Sequence, residues 1–231
     1  MNDSLQTYSG LAAAGSLAAQ RNRVLRNTYW LLALSMLPTV LGAWVGVQTG
    51  IMLGMSPMVG MMVFFAGAFG FMFAIEKTKH SATGVAVLLA FTFFMGLMLS
   101  RLLSMVLGFK NGPSLVMTAF GGTAMVFFAM AALASVIKRD LSGLGKFLFV
   151  GALVIMVAGI INVFVQSSAA YLAMLVLCIG LFSAYMVHDL KRVIDGGETN
   201  YISATLALYL DIYNVFQSLL ALLGIFGGSD D

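Results

Sequence analysis

The chain has 231 residues, of which 61% are hydrophobic and 9% charged, and its mean hydropathy is +0.99. Soluble domains are about 45–50% apolar, so this composition excludes a soluble protein and indicates an integral membrane protein. The formal net charge of +3 is too small and too dispersed to indicate a nucleic-acid partner. Cys178 is the only cysteine in the sequence, which excludes an intramolecular disulfide.

Residues 1–27 are predicted to form a mobile tail before the first transmembrane helix. They are polar and rich in small residues, and they end in the cluster Arg21, Arg23 and Arg26. The cluster follows the weakly apolar part of the tail, which is the reverse of the order in a secretory signal peptide. Residues 28–228 predict a single transmembrane domain, and residues 229–231 a short acidic C-terminal end.

Seven apolar runs follow the tail, and each is long enough to cross a bilayer as a helix. They are Tyr29–Val47, Ile51–Ile75, Gly84–Phe109, Pro113–Ile137, Phe147–Val165, Ala169–His188 and Tyr201–Phe226. The short connections between them predict antiparallel neighbours in one all-α, seven-helix bundle. The seventh run is too polar to face lipid, so we expect it at the centre of the bundle.

The distribution of lysine and arginine predicts the orientation in the membrane. These residues fall almost entirely in the tail and in the second, fourth and sixth loops, whereas the alternate loops contribute only Lys110. Cytoplasmic loops carry the excess of positive charge. The sequence therefore predicts a cytoplasmic N-terminus and, after seven crossings, a periplasmic C-terminus.

Two aspartates stand out because the chain has so few charges. Asp189 lies at the end of the sixth run and Asp211 inside the seventh, and an ionisable residue in a membrane span is interpreted first as functional. Asp211 shares a helical face with Asn214, and Asn162 of the fifth run can add to the same polar cluster. Two carboxylates close together in a low-dielectric medium do not both ionise easily, so we expect them to titrate as a unit and to sense pH.

Alternatives remain open for both aspartates. Asp189 can be an interface residue beside Lys191 and Arg192, and Asp211 can be a helix-packing hydrogen-bond group. A count along the two helices separates the carboxylates by about 9 Å in depth, so helix tilt, a water or an unwound first turn must close the gap. If they meet, their oxygens and nearby carbonyls can coordinate calcium.

Other chemistry is less compatible with the sequence. Zinc is not expected, because histidine and cysteine do not cluster. The only histidines, His80 and His188, stand at predicted helix ends, and no serine lies in a turn typical of a nucleophile. We therefore expect a protein that is not an enzyme and has no cofactor apart from calcium as a bound or permeant ion.

Several long strings between Ile137 and Gly228 carry a family resemblance. They are KRDLSGLGKFLFVG, IINVF and IDGGETNYISATLALYLDIYNVFQSLL, and through them the chain resembles the Bax inhibitor-1 family of multi-spanning membrane proteins. The strings VLRNTYWLLALS, GGTAMVFFAMAA and GGETNYI are similar to the bacterial YccA-type branch of that family. The resemblance covers most of the chain after about Arg23.

The resemblance implies a fold, a site and a partner. It implies seven helices with a central, polar seventh helix, and an aspartate pair, at Asp189 and Asp211, that gates a pH-sensitive calcium leak. For the YccA-type branch it implies an inner-membrane protein that binds and restrains the membrane-anchored ATP-dependent protease FtsH and its HflK–HflC partner complex. The tail around Arg21, Arg23 and Arg26 is then the segment that the protease grips.

The sequence departs from the family pattern at two places. His188 stands where the leak members have a tyrosine, and the region of their latch arginine reads AIEKTKH, so that Lys77 or Lys79 takes its place. A lysine offers a point charge where arginine offers a planar fork, which predicts a looser latch. Conversely, many YccA-type proteins lack the second aspartate that this chain has. We expect a regulator of a membrane protease, with a calcium or cation leak as the alternative.

Overall fold

The computed structural model describes residues 2–141 and 143–228, with side chains from residue 18 onward. Within these ranges it contains seven α-helices and no strand. Each helix has a stretch long and apolar enough to cross a membrane, which confirms the predicted all-α, seven-helix fold. The helices are α1 (Asn2–Thr49), α2 (Pro57–Thr78), α3 (Ala82–Leu107), α4 (Gly112–Val136), α5 (Leu144–Val165), α6 (Ser168–Ile194) and α7 (Tyr201–Gly227).

The bundle begins earlier in the chain than predicted. Helix α1 is continuous from Asn2, and Val24, which lies in the predicted tail, is buried against Val193 and Ala204. An apolar contact thus ties α1 to α6 and α7 before the boundary expected at residue 27, which stays a prediction. Mobility of the residues before this contact stays a prediction, and the predicted acidic end at 229–231 lies outside the described residues.

Helix α2 begins later than the apolar run that predicted it. Gly50 has a left-handed φ of 63° and starts a turn in which its carbonyl accepts from the Leu53 amide at 2.9 Å. Ser56 then caps the helix by accepting a hydrogen bond from the Val59 amide at 3.4 Å, and Pro57 occupies the first helical position. Serine followed by proline is a strong start signal, which explains why the apolar residues before it stay outside the helix.

Helices α1 and α3 approach each other closely at glycine residues. A Cβ at Gly42 would clash with the Phe93 backbone, and one at Gly96 would clash with the Thr39 backbone. Small residues at such positions let two backbones approach, and the resulting van der Waals contact drives association in lipid, where apolar side chains alone gain little. The α1–α3 interface therefore depends on the absence of side chains at these two glycines.

Helix α7 packs against α1, α3, α4 and α6 and carries hydroxyl groups that reach its neighbours. The Tyr209 hydroxyl lies 2.9 Å from Oγ1 of Thr39, and the Tyr213 hydroxyl donates to the Met95 carbonyl at 3.1 Å. The Thr205 hydroxyl donates to the Tyr201 carbonyl of its own helix at 2.7 Å and lies 3.3 Å from the Thr28 carbonyl of α1. These neutral hydrogen bonds fix the position of α7 against α1 and α3.

Side-chain caps identify the two ends of the bundle. The Asn200 amide donates to the Lys79 carbonyl at 2.8 Å and joins the α6–α7 and α2–α3 loops, whereas the Asn111 amide donates to the Gly227 carbonyl at the other end. The first end also holds the α4–α5 loop and the Arg21–Arg26 segment of α1. We call it the basic end. Which side of the membrane it faces stays a prediction.

Candidate functional site

Asp211 lies within α7 and is almost completely buried. Its residue is 3% exposed, and Oδ2 has no hydrogen-bond partner among the described residues. Buried polar atoms are nearly always paired, because leaving one unpaired costs about 1–3 kcal/mol. An unpaired carboxyl oxygen in the core of a transmembrane bundle therefore requires an explanation beyond packing.

Asp189 lies on α6 and faces the same region. Its Oδ1 is 2.8 Å from Nδ1 of His188 and 3.9 Å from Nη1 of Arg192. Asp189 is close enough to Asp211 for repulsion between the two carboxylates, and the Tyr185 hydroxyl interacts electrostatically with both. Among the described contacts no hydrogen bond joins the two aspartates. The structure therefore places them as electrostatic neighbours, and their role in sensing pH stays a prediction.

His188 connects this region to the start of α5. The residue is 7% exposed, and a Cβ at Gly145 would lie 2.8 Å from its Nε2 atom. The imidazole thus fits beneath the first turn of α5 because that turn has a glycine. Since a carboxylate only accepts, Nδ1 is assigned as the protonated nitrogen, which leaves Nε2 without a hydrogen on a neutral ring.

The two candidate latch lysines lie elsewhere. Lys77 is placed over the ring of Phe73, with its Nζ 5.4 Å from the ring centroid, and Lys79 forms an ion pair with Glu76 at 2.6 Å. Neither contacts an aspartate of the pair in the part of the chain that the structure describes. The cation beside Asp189 is Arg192 instead, one helical turn along the same helix. Sequence reasoning named Arg192 only as a neighbour of an interface residue.

The two candidate asparagines do not join the aspartates either. The Asn214 amide donates to the Leu210 carbonyl of its own helix at 2.8 Å. Asn162 accepts from the Ser167 amide at 3.0 Å and so closes the α5–α6 turn, in which Gln166 has a φ of 54°. Asn162 therefore lies where α5 ends, at the opposite end of the bundle from Asp189.

Calcium coordination rests on two carboxylates alone. No group of three or more histidine, cysteine, aspartate or glutamate residues lies close enough to share a metal ion in the described ranges. Calcium takes six to eight oxygen ligands, so backbone carbonyls and water would have to supply most of them. Calcium binding at Asp189 and Asp211 therefore stays a prediction.

The comparison with protein families gives an assignment for almost the whole chain. Residues 21–228 match the family model described as Inhibitor of apoptosis-promoting Bax1. The chain belongs to the Bax1-I family. The match begins at Arg21, so it includes the Val24 contact and all seven transmembrane spans.

Bacterial relatives match the chain over nearly its full length. An uncharacterized protein of Pseudomonas aeruginosa is 39% identical over 217 residues, covering 93% of this chain and 96% of the relative. The Escherichia coli K12 protein named Modulator of FtsH protease YccA is 37% identical over 203 residues, covering 88% and 90%. An Escherichia coli O6:H1 protein named Inner membrane protein YccA matches with the same identity and coverage.

These findings fit the geometry of the Bax1-I chain. Its seven apolar helices and its inner-membrane relative indicate a multi-pass inner-membrane protein. The names of the relatives describe a modulator and a membrane protein, and neither name describes an enzyme. Arg21, Arg23 and Arg26 are exposed on α1 at the basic end and form no ion pair with any described residue.

Proposed function

We propose that the chain is a regulatory inner-membrane protein that binds and modulates an FtsH-type membrane-bound ATP-dependent protease, together with the HflK–HflC complex. The observation that carries the proposal is the 37% identity to the YccA modulator over 90% of that protein's length. Because the match covers 88% of this chain, it extends well beyond one shared membrane module. The protein acts on this view by association and catalyses no reaction of its own.

The first helix provides the contact for the protease. With 48 residues, α1 is about 72 Å long, whereas the hydrocarbon core of a bilayer is about 30 Å thick. The helix therefore extends beyond the membrane, and its exposed arginines lie where it leaves the bundle. When a protease pulls on this extension, the close contacts at Gly42 and Gly96 hold α1 against α3. The chain therefore resists extraction from the membrane while it remains bound to the protease.

Co-purification and degradation assays test this proposal. FtsH should be retained when the tagged chain is purified from native inner membranes in mild detergent, and the purified chain should slow FtsH degradation of a membrane substrate. Replacing Arg21, Arg23 and Arg26 by glutamine should weaken both effects. Lys110→Gln, which removes one positive charge at the opposite end, is the control for position. Degradation that proceeds at the same rate with and without the chain would contradict the proposal.

The basic end must face the cytoplasm if it is to meet the protease. In a background in which Cys178 is replaced by serine, we expect cysteine at Lys110 to react with a membrane-impermeant maleimide added to intact spheroplasts. Cysteine at Gly143 should react only after the membrane is permeabilised. Both positions are exposed in the structure, so the labelling reports the side of the membrane. The reverse pattern would place the basic end outside.

A second candidate function is a pH-sensitive calcium or cation leak gated by Asp189 and Asp211. The buried, unpaired Oδ2 of Asp211 beside the Asp189 carboxylate supports it. The purified chain in liposomes loaded with a calcium-sensitive dye should then admit calcium at a rate that changes with pH. Asp211→Asn should remove that dependence, and Asp195→Asn, at the residue that follows α6, should retain it. An equal calcium flux in empty liposomes would exclude a leak.

A further inference from the structure

Helix α1 has a proline inside its membrane-spanning part. Pro38 lies within the helix, whereas the other two prolines of the chain, Pro57 and Pro113, occupy the first turns of α2 and α4. A proline has no backbone N–H, and its ring crowds the carbonyl four residues earlier, which here belongs to Leu34. The Leu34 carbonyl therefore loses its helical donor, and α1 is weakened at this point.

Two hydroxyl groups beside Pro38 act on the same part of the helix. Oγ of the buried Ser35 donates to the Leu31 carbonyl at 2.8 Å, and Oγ1 of Thr39 donates to the Ser35 carbonyl at 2.8 Å. Hydroxyls that bond to carbonyls four residues back slightly destabilise helices and often bend them. Sharp bends in helices also occur mostly at prolines. The segment from Ser35 to Thr39 therefore combines two independent causes of bending.

The part of α1 after Pro38 is fixed against α3. A Cβ at Gly42 or Gly46 would overlap atoms of α3, and a Cβ at Gly96 of α3 would overlap the backbone of α1. Contacts at this distance leave no space into which either helix can move, because protein interiors are close-packed. We therefore expect this part of α1 to stay in place when the helix bends.

The part of α1 before Pro38 is held less firmly as the distance from Pro38 increases. Leu31 still belongs to the main core of the bundle. Val24, at the basic end, lies in a small cluster of its own, in which the other buried residues are Val193 and Ala204. Segments with few buried apolar contacts open locally without unfolding the rest of a protein. This small cluster is therefore the contact that separates first.

A small bend at Pro38 produces a large movement at the basic end. At 1.5 Å per residue, Val24 lies about 21 Å from Pro38 along the helix. A bend of about 20°, which is small for a proline kink, would move Val24 by about 7 Å. Apolar side chains are in contact only when their heavy atoms lie within about 4.5 Å. Such a bend therefore separates Val24 from Val193 and Ala204.

We propose that α1 is hinged at Pro38, so that its first part opens away from α6 and α7 at the basic end while its second part stays fixed against α3. Opening uncovers Val193, which lies one helical turn beyond Asp189 on α6, and so regulates access to the region of the two aspartates. The hinge is a property of α1 itself. Its test is therefore independent of both proposed functions.

Distances between spin labels measure the hinge in the full chain in nanodiscs. In a background in which Cys178 is replaced by serine, one pair of labels is attached at Asn22 and Glu76 at the basic end. The control pair is attached at Gln48 and Lys110 at the opposite end, and all four positions are exposed. We expect the basic-end pair to give a distance distribution several ångströms broader than that of the control pair. Equal widths would contradict the hinge.

Two proline variants show whether this breadth comes from the hinge. Pro38→Ala restores the backbone donor within α1, so it should narrow the basic-end distribution to the width of the control pair. Pro113→Ala makes the same change in the first turn of α4 and should leave both distributions unchanged. A basic-end distribution that stays equally broad in Pro38→Ala would overturn the proposal.

The reactivity of a buried cysteine measures the opening in a second way. Val193→Cys replaces a side chain that is 1% exposed by one of similar size, so a maleimide reaches it only when α1 has opened. In the same Cys178→Ser background, Pro38→Ala should slow this labelling several-fold. Cysteine at the exposed Asn22 should react at the same rate with and without Pro38→Ala. Equal labelling rates at Val193 with and without Pro38→Ala would show that α1 does not open there.

Discussion

Helices α5 and α7 differ in how much of each is buried and in the contacts that hold them in the bundle. In the most apolar stretch of α5 only 6% of residues are buried, whereas the corresponding value for α7 is 44%. Helix α5 packs against α6 and presents Phe147, Val154 and Phe164 outward, while α7 is enclosed by four helices and bound by hydroxyl groups. In a bilayer, apolar side chains indicate contact with lipid, and small or polar residues indicate contact with other helices.

Glycine-to-alanine substitutions should give the largest difference in stability between the closely packed interior and the lipid-facing helix α5. Gly96→Ala puts a methyl group into the Thr39 backbone, so it should destabilise the chain by about 1–3 kcal/mol. The same change at Gly159 meets open space and should stabilise the helix by up to about 1 kcal/mol, because alanine is the better helix former. Thermal unfolding in one detergent measures both. Equal effects would mean that α1 and α3 are not in close contact.

Substitutions of Asp189 and Asp211 test whether α6 and α7 are coupled through charge. Stabilities of Asp189→Asn, Asp211→Asn and the double variant should be non-additive by about 0.5–3 kcal/mol, because the two carboxylates are electrostatic neighbours. The matched cycle pairs Asp211→Asn with Asp195→Asn, whose carboxylate binds Lys191 instead, and should be additive. Additivity in both cycles would leave Asp211 as a separate buried group.

The hydroxyl contacts of α7 should have a smaller effect. Tyr209→Phe removes the bond to Thr39 and should cost about 1 kcal/mol, the usual net value of a neutral hydrogen bond. Thr39→Ala should add little to it, because the two substitutions remove the same contact. Tyr171→Phe, on an exposed ring of α6, is the control. A loss no larger than the control's would show that α7 is held by packing alone.

The number of helices and most of their bounds could be predicted because they depend on local apolar length. The contacts between helices could not be predicted, because they depend on how each helix is rotated about its axis and on which of its ends faces a given neighbour. Asn162 is a polar residue in an apolar run, yet its side chain accepts from the Ser167 amide and closes the α5–α6 turn. Lys77 was a candidate for the latch, yet its ammonium lies over Phe73. The two aspartates could be singled out from the sequence because charged residues are rare in this chain. The position of Gly145 beside His188 could not be predicted, because it is one of 25 glycines.

The smallest effect on stability should come from the beginning of α1. Val24 is the first buried residue among those whose side chains are described, so deleting residues 2–17 should change the free energy of unfolding by less than about 0.5 kcal/mol. Val24→Ala, by contrast, should cost about 1–2 kcal/mol, because it removes two methyl groups from the contact with Val193 and Ala204.

Degradation by purified FtsH distinguishes the two variants of α1 further. The deletion should slow ATP-dependent degradation, because it shortens the segment that the protease grips, whereas Val24→Ala should accelerate it by loosening α1 from the bundle. If the deleted chain is degraded as fast as the intact chain, the protease engages another segment. The exposed α4–α5 loop, with Lys138, Arg139 and Asp140 at the same end of the bundle, is then the next segment to test.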